Sequence, residues 1–242
     1  MKMAKKLMTL AVTLVILLGT LVPYVVFAEG MKEACFILVG GDGDELGNKN
    51  NLFYQTTASG KSLYNFYDII FIEQQTSNDP SSELYEKLQK TSYDNYIIAG
   101  FSHGGLSIFD NYQNLDKRIT KIALIDAITG FYGLGISQDN DAMVAEWLKR
   151  IIEMANGRQI IITASEGENS VSQRSRMLIN LIEKECTSES SNLTKISDGE
   201  YAIKTLDGTY SGRISTKFLS DWHGNACIQA FPYLWSKLDL GL

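Results

Sequence analysis

The segment Asn95–Gly105 reads NYIIAGFSHGG. Its first half, Tyr96–Ala99, is a short apolar run closed by Gly100, as expected of a strand buried on both faces of a parallel sheet. Just past it, Leu106, Phe109 and Tyr112 recur every third residue, the spacing of one helix face. Between strand and helix lies Gly100-Phe101-Ser102-His103-Gly104, a Gly-x-Ser-x-Gly pattern. A serine on such a turn projects from the C-terminal edge of the sheet. The glycines let the chain turn tightly and let a substrate approach. The first turn of the helix offers backbone N–H groups to a developing oxyanion.

The same alternation continues on both sides. ACFILVGG (34–41), YDIIFIEQ (67–74), TKIALIDAI (120–128) and RQIIITA (158–164) read as further buried strands. Helices are expected at three places between and after them. Residues 78–90 have Asp79 as N-cap and Pro80 in the first helical position; residues 141–155 carry the stripe Val144, Trp147, Leu148, Ile151 and Ala155; the third runs through Val171, Leu178, Ile182 and Cys186. Residues 187–194 read as a polar loop. GEYAIKTL (199–206) reads as a strand running into the turn signal Asp207-Gly208, and the apolar tail from Asn225 as a helix kinked at Pro232. Strands alternating with helices imply one three-layer α/β/α domain around a mostly parallel sheet.

The N-terminus is of another kind. Lys2, Lys5 and Lys6 precede an apolar run from Leu7 to Ala28, and Val26-Phe27-Ala28 offers small residues where a signal peptidase cuts. Residues 1–28 are expected to be a cleaved leader, with an uncleaved anchor as the rival, and residues 29–242 the folded domain. That makes the protein secreted or extracytoplasmic, with no membrane span after cleavage. The chain has 22 basic and 28 acidic residues. Removing the three leader lysines leaves 19 against 28, a net charge of −9. Such a surface argues against nucleic acid, which needs a basic patch, and against adhesion to anionic lipid. Three cysteines, Cys35, Cys186 and Cys227, are too few for a disulfide scaffold.

In YIIAGFSHGG and in its order of elements the chain resembles the α/β-hydrolase superfamily, the serine esterases and lipases, and in its compactness a member without a large cap domain. The resemblance covers the whole of 29–242, but only the elbow is motif-specific. It implies a nucleophilic Ser102 served by a histidine base. Two histidines are available. His103 adjoins the serine and would point away from its hydroxyl, its backbone N–H serving as an oxyanion donor. His223, in SDWHGNACIQAF before the last helix, stands where the family carries its base. For the orienting acid the resemblance favours the turn after RQIIITA, where SEGENS puts Glu168 at the acid position and Glu166 as competitor. Asp126, at the end of the preceding strand, is a further alternative. The second oxyanion N–H would come from Asp42 or Gly43 in VGGDGDELGNKN, an acidic loop in place of the usual His-Gly.

That loop also invites a calcium reading, since Asp42, Asp44 and Gly47 match three positions of an EF-hand loop. Leu46 and Phe53 stand where oxygen ligands are needed, and no His/Cys cluster has zinc spacing. No metal or cofactor is therefore expected. The segment AITGFYGLG (127–135) is too short for a cap and could form a small apolar flap. The expected activity is hydrolysis of small-molecule acyl esters through a Ser-His-acid acyl-enzyme. The alternatives are a hydrolase-fold binding protein with a weak or inactive site, favoured by the acidic loop, and an acyltransferase with the same triad.

Overall fold

The computed structural model of the 242-residue chain describes residues 34–41, 52–53, 55–72, 80–129, 140–188, 191–205 and 208–238. The expected leader, the Asp42 and Gly43 donors and most of the 127–135 segment lie outside these residues. The strands are β1 (Ala34–Val39), β2 (Asp68–Ile72), β3 (Asn95–Phe101), β4 (Ile119–Ile125), β5 (Gln159–Ala164), β6 (Leu193–Ser197), β7 (Glu200–Lys204) and β8 (Tyr210–Phe218). The helices are α1 (Pro80–Lys90), α2 (Gly104–Asp110), α3 (Asn140–Met154), α4 (Ser170–Glu185) and α5 (Ala226–Lys237). One eight-stranded sheet runs in the order β2-β1-β3-β4-β5-β8-β7-β6. β2 through β8 in that order pair in parallel, and the β8–β7 and β7–β6 pairs are antiparallel. Flanked by helices, this is a single α/β domain with a mostly parallel sheet, an α/β-hydrolase-like fold.

Strand alternation divides the core between the two faces of the sheet. Cys35, Ile37 and Val39 of β1 face a cluster with Leu84 of α1, Phe109 of α2, Trp147 of α3 and Leu178 of α4. Phe36 and Leu38 face the other way, toward Leu63, Tyr67 and the α5 residues Ala230, Phe231 and Leu234. Because both faces are covered, β1, β3, β4 and β5 are almost wholly buried, which is why they read as continuous apolar runs. Pro80 opens α1 as expected, and Pro232 lies inside α5. All three cysteines are free.

Two strands were not legible in advance. β6 falls partly in the polar segment read as a loop, and β8 begins just beyond the Asp207-Gly208 turn. The burial of β6 fades from Leu193 outward, as befits a sheet edge. β8 carries Gly212, Arg213 and Lys217 on either side of its buried residues Ile214–Thr216. Neither has the apolar run or clean alternation that marks a strand. Gly208, at φ 84, makes the turn that reverses β7 onto β8. That hairpin carries β8 back beside β5, and the residues after β8 arrive at the C-terminal edge of the parallel strands.

Candidate active site

Ser102 follows β3 directly and has φ 50, the left-handed region that costs an L-residue about 1–2 kcal/mol. The surroundings hold it there. Its N–H donates to Ile125 O (3.3 Å), and its carbonyl accepts from Gly105 N (3.2 Å). Gly104 lies so close to β1 that a Cβ would come within 2.2 Å of Val39 O and 2.5 Å of Gly40 O. Gly41, at the end of β1, packs directly on Ser102: a Cβ there would meet Ser102 Cβ at 2.6 Å and Oγ at 3.2 Å. These glycines are required by close backbone approach, and they bring the end of β1 against the serine. Ser102 itself is 7% exposed.

Phe101 pairs with Ile125 in the β3–β4 ladder, so the next residues on each strand, Ser102 and Asp126, leave the sheet side by side. Asp126 also has positive φ (46), a conformation aspartate tolerates better than most residues. Its N–H donates to Thr163 O (2.9 Å), which ties the end of β4 to β5. The carboxylate is fully buried. It accepts from Ser165 N on Oδ1 (3.2 Å), from Ser172 Oγ on Oδ2 (2.6 Å), and from the Ser165 hydroxyl. Ser172 stands in the first turn of α4, which is capped by the Asn169 side chain accepting from Ser172 N (2.8 Å).

His223 completes the constellation. The segment after β8 is laced to the end of β5 by Leu219 N to Ala164 O and Glu166 N to Asp221 O, both 2.8 Å. Asn225 Nδ2 donates to Asp221 Oδ2 (2.8 Å), bracing the short 3-10 turn His223–Asn225. The imidazole lies on Phe101, ring centroids 4.9 Å apart and 21° from coplanar, and its Nδ1 is 2.6 Å from Asp126 Oδ2. Burial opposes charge on Asp126, but hydrogen bonds from His223, Ser165 and Ser172 outweigh it and hold the carboxyl below its ordinary 3.8. An ionised carboxylate accepts from Nδ1–H, which leaves Nε2 as the basic nitrogen. Among the hydrogen bonds of the described residues none joins Ser102 Oγ to the imidazole.

The expected partner of His223 is thus corrected. Its Nδ1 meets Asp126, the strand-end alternative, and not Glu168 or Glu166. Both glutamates are exposed. Glu168 immediately precedes the α4 N-cap Asn169, where an acid favours the helix dipole, and its carbonyl accepts from Gln173 Nε2 (2.8 Å). Glu166 serves through its backbone, holding the His223 segment. His103 sits at the N-cap of α2 without a side-chain capping bond. Phe53, the position that spoiled the calcium pattern, is fully buried. Among the described residues no group of three His, Cys, Asp or Glu side chains could hold a metal ion.

Residues that sequence reasoning did not single out are Phe101, Ser165, Ser172 and Gly41. Phe101 lies in the Gly-x-Ser-x-Gly turn and Gly41 at the end of β1, but only the tertiary fold gives them a contact to make. Ser165 is the first residue after β5, in the turn where the resemblance had sought the acid, and it delivers hydroxyl and amide donors to Asp126 instead.

No protein-family model matches the chain, and no curated protein matches it. Among solved structures it is similar to a thioesterase domain from the curacin biosynthetic pathway, at 10% identity over 85% of this chain and 90% of that one, with a TM-score of 0.43. The sheet order makes the chain a single α/β domain with a mostly parallel sheet, consistent with an α/β-hydrolase-like fold.

Proposed function

We propose that the protein is a serine hydrolase of small carboxylic esters, acting through Ser102, His223 and Asp126. The observation that carries this reading is the bond from His223 Nδ1 to a buried Asp126 that leaves the sheet beside a left-handed Ser102. Nε2 of His223 takes the proton from Ser102 Oγ as the oxygen attacks the ester carbonyl, and Asp126 steadies the imidazolium. The imidazolium returns the proton to the departing alcohol. Water, deprotonated by the same nitrogen, then releases the acid from the acyl-enzyme. Backbone N–H groups of His103 and of Asp42 or Gly43 serve the oxyanion. The contact of Gly41 with Ser102 supports that second position, because it brings the chain just before Asp42 to the nucleophile.

No cofactor is needed for this chemistry. A cleaved leader would make the enzyme extracytoplasmic, acting on a small-molecule ester. The test is hydrolysis of p-nitrophenyl esters from acetate to octanoate by residues 29–242. Wild type should turn over at least one ester, and Ser102→Ala should lose at least 10³-fold in kcat. Equal rates in the two proteins would sink the reading, and acyl transfer to an added alcohol without net hydrolysis would redirect it to an acyltransferase.

A further inference from the structure

We propose that Ser165 and Ser172 are positioning residues: their hydroxyls share Asp126 Oδ2 with His223 Nδ1 and so limit how tightly the carboxylate grips the imidazole. The inference rests on the triad assigned under the proposed function. Both serines are fully buried, and their oxygens are 2.8 Å apart. Oδ2 therefore faces three potential donors, the two hydroxyls and the imidazole, while Oδ1 takes the Ser165 amide. A carboxylate oxygen has two lone pairs, so the three donors compete. If Ser165 gives its proton to Ser172 and Ser172 gives its own to Oδ2, the competition is relieved but the Ser172 donor remains.

A hydrogen bond drawn from Oδ2 by a hydroxyl disperses charge that would otherwise stabilise the imidazolium. Deleting the hydroxyl concentrates that charge on His223 and favours its protonated form. A base held too tightly is protonated at the working pH and cannot accept from Ser102. The serines thus limit how strongly Asp126 favours the protonated imidazole. Other titratable groups near the pair are of three kinds. α5 supplies the Cys227 thiol, kept neutral by burial and then by the charge of Asp126. The residues after β8 and β5 supply Asp221, engaged with Asn225, and the exposed Glu166. The elbow supplies His103. None is altered by changing Ser165 or Ser172.

Ser175 provides an internal control. It lies further along the same helix, is equally buried, and accepts from Ile128 N (3.2 Å) without touching Asp126. The test follows the imidazole resonances of the two histidines by NMR through a pH titration, with His103→Gln assigning them. Ser172→Ala should raise the midpoint of His223 by about half a pH unit, and the acid limb of kcat/KM should move with it. Ser175→Ala should cost stability but leave both midpoints in place. Ser172→Cys, of similar size and a weaker donor, should fall between wild type and alanine, and it stands in if the alanine variant does not fold. A His223 midpoint unmoved or lowered in both Ser165→Ala and Ser172→Ala would overturn the inference. The titration needs no turnover. An upward shift in a protein whose Ser102 resists a fluorophosphonate would retain the serine role and reject the hydrolase. Normal labelling without the shift would do the reverse.

Discussion

Asp126→Asn is the most informative single change, because it is nearly isosteric and strikes at one geometry. In the wild type both carboxylate oxygens only accept: Oδ1 from the Ser165 amide, Oδ2 from His223 Nδ1 and the buried hydroxyls. An amide can accept through one of these positions only. With its NH2 at Oδ2 it confronts Nδ1–H and forces the imidazole into the tautomer whose Nε2 is already protonated. With its NH2 at Oδ1 it abandons the Ser165 amide and offers Nδ1 an uncharged acceptor. Loss of the charged acceptor and of the correct tautomer should cost on the order of 10³–10⁴ in kcat, about 4 to 5.5 kcal/mol of transition-state stabilisation. Stability should fall by about 1–3 kcal/mol for the donor left unsatisfied. Glu168→Gln, on an exposed side chain, should stay within about two-fold of wild type. The assay is kcat and kcat/KM on the best p-nitrophenyl ester, with thermal unfolding alongside. An Asp126→Asn enzyme within ten-fold of wild type, or a Glu168→Gln enzyme crippled while folded, would refute the assignment.

Three further outcomes follow from the same geometry. Because the folded state holds the Asp126 carboxyl below its ordinary 3.8, the stability it confers is complete above that value and is lost as pH falls through the lower, folded-state value. The melting temperature of Asp126→Asn should therefore fall less steeply with acidification below about pH 4 than that of wild type; parallel curves would contradict this. Gly41→Ala places a methyl group 2.6 Å from Ser102 Cβ. It should cut kcat/KM by about 100-fold or more for an overpacking cost of about 1–3 kcal/mol in unfolding, and a variant with full activity would show that Gly41 does not crowd Ser102. At φ 50, Ser102→Gly should be more stable than Ser102→Ala by about 1 kcal/mol in denaturant unfolding, since glycine relieves the left-handed strain. Equal stabilities would mean that the elbow is relaxed.

How much of this was legible differs by level. β1, β3, β4 and β5 announced themselves because burial on both faces leaves nothing but apolar residues in them. The elbow was legible because a strand, a glycine-framed serine and a helix follow one another locally. His223 was legible by scarcity. The carboxylate that meets it was not, because the pairing depends on which strand end the His223 turn folds over, and the partners lie 97 residues apart. Family habit pointed to the turn after β5, and Glu166 and Glu168 there supplied plausible carboxylates. Their position is equally explained by the α4 N-terminus, which attracts acids whatever the function. A buried hydroxyl pair was the missing signal. Ser165 and Ser172 read as ordinary polar residues of a loop and a helix start, and only the fold turns them toward Asp126. The strands β6 and β8 escaped for a different reason, since edge exposure and interspersed charge erase the periodicity on which a strand is recognised.

The most direct measurement is the intact mass of folded residues 29–242 after treatment with a fluorophosphonate, followed by peptide mapping. One adduct per chain is expected, on Ser102, formed orders of magnitude more slowly in His223→Ala and Asp126→Asn. A native fold that takes no adduct, or takes it on another residue, would contradict it.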